Sequence, residues 1–180
     1  MKLNRHSVII FFARFTVLII VCLPLWWLMM PHYALCIGRI VAVMVSHTTP
    51  MSIEAVSVSN AGDAPLNTGT ALHFTIGGID RTLPDVGQIF TNIAPFVALV
   101  LATAGLGFLR RLKVLGIGCA VLVATHIVFL WLMFILMAHG QRDMRIPLGQ
   151  FFLTLPFPLW ILLAYWNKIA SFFKEDAPKA

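Results

Sequence analysis

The chain has 180 residues, 59% of them hydrophobic and only 11% charged, with a mean hydropathy of +0.90. That is more apolar surface than one soluble core of this size can hide, which excludes an ordinary soluble domain and points to a lipid bilayer as the solvent. The net charge of +6 comes from residues that border the apolar segments and form no continuous groove-reading face, so it points to anionic headgroups and not to nucleic acid.

Four segments, at about 7–30, 90–109, 114–137 and 149–172, are long and apolar enough to cross a hydrocarbon layer that needs roughly 20 helical residues. The expected fold is therefore an all-α polytopic membrane protein: four transmembrane helices, with a small extracytoplasmic β-hairpin inserted at 48–88 between the first and second. In the first segment Arg14 is near enough to one border to snorkel, and Trp26, Trp27 and Tyr33 mark the other. Pro24 predicts a kink and Pro31 a break or redirection. The apolar run is too long for a signal peptide and no A-x-A site follows; Leu35 before Cys36 departs from the lipoprotein pattern, so the segment reads as an anchor. Residues 33–46 are too short to cross alone and read as a helix that continues outward or lies along the surface.

Next the period changes to two. Glu54, Val56 and Val58 alternate with Ala55, Ser57 and Ser59, and Leu72, Phe74 and Ile76 with Ala71, His73 and Thr75, around the turn formers of "NAGDAPLNTG". Because an isolated hairpin is marginal in water, the apolar face of Val56, Val58, Leu72, Phe74 and Ile76 needs support from the bilayer, from residues 33–46 or from another protein. It is the candidate partner-binding face. The second and third segments form a helical hairpin joined by "RRLK". Ala98 with Ala102, Thr103 with Gly107, and Gly116 with Ala120 place small residues four apart, a spacing that lets helices approach closely in lipid. In the fourth segment "LPFPLW" predicts an irregular helix.

Orientation follows from the cations. With the N-terminus inside, Lys2, Arg5, Arg110, Arg111, Lys113, Lys168, Lys174 and Lys179 are cytoplasmic, eight of thirteen, and five of the seven acids are outside. Both termini are therefore expected in the cytoplasm, with the chain multi-pass. Three cysteines, two of them within spans, argue against a disulfide framework.

Two constellations carry possible chemistry. His126 lies near the middle of the third segment, with Cys119 and Met133 seven residues to either side. Seven residues rise about 10.5 Å, so one metal ion cannot reach all three, and no other span offers a histidine at matching depth for haem. A neutral imidazole bonded to Thr125, a backbone carbonyl or a polar side chain across the bundle is the simpler expectation. His32, Cys36 and Arg39, at spacings of four and three, share one helix face and suggest an activated thiol. Neighbours on one helix diverge, however, and enclose little.

The order "ARFTVLIIVCLPLWWLMMPHY", "IEAVSVSN" with "ALHFTI", "NIAPFVALVLAT" and "LPFPLWILLAYWNK" resembles the exosortase H-associated membrane proteins. Those are small bacterial inner-membrane proteins that accompany an exosortase, a membrane cysteine transpeptidase acting on proteins with a C-terminal sorting helix. The resemblance implies a noncatalytic accessory subunit in a bacterial inner membrane whose partners are the bilayer and a larger, exosortase-like membrane protein; no cofactor or metal is expected. Exosortases themselves have more spans and place cysteine, arginine and histidine on separate segments, so no catalytic residue is carried over. The alternatives are a membrane thiol enzyme using Cys36, with Arg39 and His32 as helpers, and a haem- or quinone-binding subunit of a redox complex.

Overall fold

The computed structural model describes residues 5–60, 69–83, 86–138 and 145–175. The turn expected at 61–68 lies outside them, as do Lys2, Asp63, Asp85, His139, Arg142, Asp143 and Lys179. The described chain is mostly helical: α1 (Arg5–Thr48), β1 (Ile53–Asn60), β2 (Thr70–Ile76), β3 (Ile79–Leu83), α2 (Val86–Phe90), α3 (Ile93–Ala102), α4 (Phe108–Ala138), α5 (Arg145–Thr154) and α6 (Pro156–Glu175).

Two helices, α1 and α4, are long and apolar enough to cross a membrane. The other two expected segments are shorter apolar stretches, Val86–Ala102 and Gln150–Trp166. The first of these bends through a turn at Thr91 and Asn92 and stops at Ala102, well short of residue 109. The "RRLK" residues then fall inside α4, and the connection is 103–107.

α1 is a single helix of 44 residues, about 66 Å long, twice a hydrocarbon layer of about 30 Å. It runs through both Pro24 and Pro31, so the break expected at the second proline is absent. Each proline removes one donor, but packing in register outweighs that loss beyond Pro31. Met30, Ala34, Ile37, Val41 and Val45 recur every three or four residues and are all buried in one cluster with the sheet and α4. Residues 33–46 thus continue the helix beyond Pro31. On its first half, Ile9, Phe12, Val17, Ile20, Val21 and Leu25 stay exposed.

The expected hairpin gains a third strand, giving an antiparallel sheet in the order β1-β2-β3. The signal was present in "IGGIDRTL". Gly77 and Gly78 both have positive φ, +56° and +74°, as a two-residue hairpin turn requires, and Ile76 pairs with Ile79 across it. In β1 the register shifts between Ile53 and Ala55. This bulge leaves Glu54 exposed and brings Ile53 onto the apolar side with Val56 and Val58, where plain alternation would have placed the glutamate. Val56 faces Phe74 and Val58 faces Leu72. The opposite surface is polar: His73 bonds Ser59 at 2.6 Å and Thr82 at 2.9 Å, and Thr75 donates to Asp80 at 2.7 Å.

The sheet rests on α1 at Gly38. A Cβ there would stand 2.9 Å from Val56 Cγ1 and 3.0 Å from Leu72 Cδ2, so any larger residue forces those side chains to shift. Gly38→Val is expected to cost about 1–3 kcal/mol through overpacking, read as an earlier midpoint in thermal unfolding of the detergent-solubilised protein. In the bundle, Asn92 meets His126, Phe96 meets Gly118 and Thr103 meets Arg111, so α3 runs antiparallel to α4. A Cβ at Gly118 would run into the Phe96 ring, whereas Gly116 and Gly107 have open space around them. Ala98 and Ala102 are buried as their spacing suggested, but the close approach on α4 belongs to Gly118; Gly116 and Ala120 face outward.

At "LPFPLW" the helix is interrupted. α5 ends at Thr154, and α6 restarts with Pro156 in its first turn, where a missing amide costs nothing, and with the Leu159 amide bonded to the Leu155 carbonyl. Two apolar clusters result, one around the sheet, α1, α4 and α5, the other among α3, α4 and α6. Trp26, Tyr33 and Val123 pack against both.

Candidate functional site

Where the two clusters meet, the only buried histidine among the described residues finds its partners. His126 on α4 is fully buried, with Nδ1 2.7 Å from the Tyr33 hydroxyl of α1 and Nε2 3.0 Å from Asn92 Oδ1, just ahead of α3. Asn92 is itself buried and donates from Nδ2 to the Phe152 carbonyl of α5 at 3.0 Å. Phe90 closes one side, its ring centroid 4.9 Å from the imidazole and 5.3 Å from Tyr33.

The direction of every bond can be assigned from one fixed point. A backbone carbonyl only accepts, so the Asn92 amide nitrogen faces Phe152 and its oxygen faces His126. A fully buried ring with no charged partner among the described residues is neutral, so Nε2 carries its one proton, Nδ1 accepts, and the Tyr33 hydroxyl donates. The result is a one-way relay from Tyr33 through His126 and Asn92 to Phe152, tying together four elements. Both imidazole nitrogens are engaged, which leaves neither to bind a metal or haem iron in this arrangement.

Of the partners considered for His126 from sequence, the polar side chain across the bundle is present twice over, and the Ile89 backbone also bonds the ring. The Thr125 hydroxyl turns instead to the Leu122 carbonyl at 2.7 Å. Sequence reasoning used Tyr33 only as an interface marker and gave Asn92 no role. The available signal was an amide standing alone at the head of the apolar run "IAPFVALVLA", since a polar side chain in such a setting must find another.

His32, Cys36 and Arg39 do share a face of α1, and all three are exposed. Among the described residues, none of them makes a hydrogen bond or an ion pair. They are aligned but not enclosed. Among the described residues, no three His, Cys, Asp or Glu side chains converge as a metal site would need.

The apolar sheet face is covered by the chain's own helices. Leu72 and Phe74 are fully buried, and Val56, Val58 and Ile76 pack against the same cluster. Phe74 meets Phe134 of α4 edge to face at 4.6 Å, and Gly38 of α1 receives Val56 and Leu72. Of the three supports considered for this face, residues 33–46 supply it, joined by α4, which was not among the three. A partner would have to displace them to reach Leu72 or Phe74. The chain matches no family model, no curated protein and no solved structure.

A second polar layer closes the far end of the bundle. Trp160 of α6 donates to the Thr103 hydroxyl at 2.9 Å, and that hydroxyl donates to the Leu99 carbonyl at 2.7 Å. Arg111 donates to the Thr103 carbonyl at 3.0 Å and Arg110 to the Ala164 carbonyl at 3.1 Å. Phe11 of α1 stacks on Trp160 at 5.7 Å. These contacts bring the start of α1, the end of α3, the start of α4 and α6 to one level.

Proposed function

We propose that the chain is a noncatalytic accessory subunit of a bacterial inner-membrane complex for protein sorting or envelope assembly. In this reading it crosses the membrane four times, with α2–α3 and α5–α6 as broken spans, the sheet outside and both termini in the cytoplasm. Broken helices are tolerated at membrane depth where protein covers the freed backbone groups. The Asn92 amide on the Phe152 carbonyl is a contact of that kind.

The observation that carries the noncatalytic reading is the relay itself: its buried imidazole is bonded at both nitrogens by groups of the same chain, and no described side chain adds a charge to it. The surface left uncovered is lateral. Gly116, Ala120 and Ala124 follow one another every four residues on the exposed side of α4, flanked by exposed Ile117, Val121 and Val128. A helix of a larger membrane protein packs closely against such a face. The resemblance to the exosortase H-associated proteins makes an exosortase-like transpeptidase the favoured partner.

Two variants test this together. Gly116→Leu is expected to reduce copurification of the larger protein from native membranes by about ten-fold, the effect of about 1.4 kcal/mol of lost contact, while the protein still inserts. Cys36→Ala is expected to leave both association and complex activity unchanged. Loss of activity with association retained in Cys36→Ala would replace the accessory role with the thiol-enzyme reading. Undiminished copurification in Gly116→Leu would remove α4 as the docking face.

A further inference from the structure

At the end of the bundle opposite the sheet, α4 begins in an electrostatically unusual way. It has no acidic residue in its first turn, although a helix N-terminus carries partial positive charge; Arg110, Arg111 and Lys113 follow instead. The Gly107 carbonyl accepts the first helical bond, from the Arg111 amide at 2.9 Å. A glycine there offers no side chain to cap the free amides of residues 108–110.

The two guanidiniums have donors to spare. Among the described residues, both bond only to backbone carbonyls, those of Thr103 and Ala164, and Arg111 Nε is buried without an acceptor. Beside Arg110 lies a cavity of about 260 Å³ bounded also by Thr103, Gly105, Leu106, Ala164 and Tyr165, with the Arg111 guanidinium held at the Thr103 carbonyl next to it. Next to Arg110 in the chain, Phe108 and Leu109 are 78% and 74% exposed, and Leu112 is exposed one turn on. Unneutralised cations, free helix amides and an adjoining apolar strip together match an amphiphile with an anionic head.

We propose that this pocket binds the phosphate of one anionic phospholipid. The phosphate oxygens accept from Arg110, the neighbouring Arg111 adds its charge, and the acyl chains run along Phe108, Leu109 and Leu112. Inorganic phosphate offers the same acceptors but would leave Phe108 and Leu109 uncovered, which favours the lipid. The inference rests on the bilayer reading above and is independent of the partner protein.

The test titrates detergent-solubilised full-length protein with phosphatidylglycerol or phosphatidylcholine under native mass spectrometry, and follows thermal unfolding with each lipid and with inorganic phosphate. The expected result is one retained phosphatidylglycerol per chain, favoured over phosphatidylcholine by about five-fold or more. Thermal protection is expected from that lipid and none from inorganic phosphate. Arg110→Gln, a change at an exposed side chain, is expected to lower the preference, and Arg110→Gln with Arg111→Gln to abolish it. Equal retention of both lipids, an unaltered preference in Arg110→Gln, or equal protection by inorganic phosphate overturns the proposal. Recovery of the chain in the soluble fraction would overturn the bilayer reading instead, so the two failures are distinguishable.

Discussion

Replacing His126 by alanine is expected to destabilise the protein by about 3 kcal/mol, measured as thermal or denaturant unfolding in detergent. The substitution leaves Asn92 Oδ1 as a buried orphan costing about 1–3 kcal/mol, strips the half-buried Tyr33 hydroxyl of its partner at a smaller cost, and adds a cavity beside Phe90. A discount applies because polar groups also find partners in the membrane-unfolded state, where measured interhelical bonds average about 0.6 kcal/mol. Tyr33→Phe should cost less, about 1 kcal/mol, since Tyr33 is only half-buried and loses one bond. The double-mutant cycle His126→Ala with Asn92→Ala isolates the pair and should show coupling of about 1 kcal/mol. A stability loss below about 0.5 kcal/mol in His126→Ala would show that the relay does not hold the bundle together.

The relay also shows which parts of this molecule the sequence made legible. Hydrophobic length and the change of period announced long apolar helices and a strand region, because both depend on local patterning. The third strand was equally local, and the paired glycines before "IDRTL" were its mark. Continuity of α1 through two prolines was not local. It depends on Met30, Ala34, Ile37, Val41 and Val45 finding a common surface on the sheet and α4, a tertiary contact that overrides the helix-breaking tendency of Pro31. Likewise Gly118 and Gly116 are indistinguishable by spacing; only the position of the Phe96 ring decides which glycine is required.

The partners of His126 were hidden for the same reason. Its hydrogen bonds join residues 93 and 34 positions apart, so no window along the chain contains them. What sequence did provide was the expectation that a polar ring in an apolar run must be paired, and that expectation narrows the search to the few other polar residues in apolar surroundings. Tyr33 and Asn92 both qualify. Convergence of Tyr33, His126 and Asn92 at the seam between two apolar clusters gives the relay a mechanical meaning: directional bonds fix the rotation of α1 and α4 where apolar packing alone tolerates sliding.

Phe74→Asp is expected to be the most damaging single change in the sheet, costing about 4 kcal/mol or more. Phe74 is fully buried, faces Val56 in β1 and meets the Phe134 ring, so removal of the aromatic alone carries about 3–5 kcal/mol, and an unpaired carboxylate in that position adds a desolvation penalty. Because the apolar face supplies most of the sheet's attachment, the expected outcome is release of all three strands from α1 and α4 as a unit while the helices stay inserted. Limited proteolysis of the purified, partner-free protein reads this as rapid cleavage between Thr48 and Val86, with the helical fragments resistant. Ile79→Asp is the control: Ile79 is more than half exposed on the edge strand and should leave cleavage unchanged. Equal resistance of Phe74→Asp and wild type would mean that the sheet is held by something other than its own helices. Rapid cleavage without any partner present would establish that the face formed by Val56, Val58, Leu72, Phe74 and Ile76 serves the chain's own fold, and would move the search for a docking surface to α4.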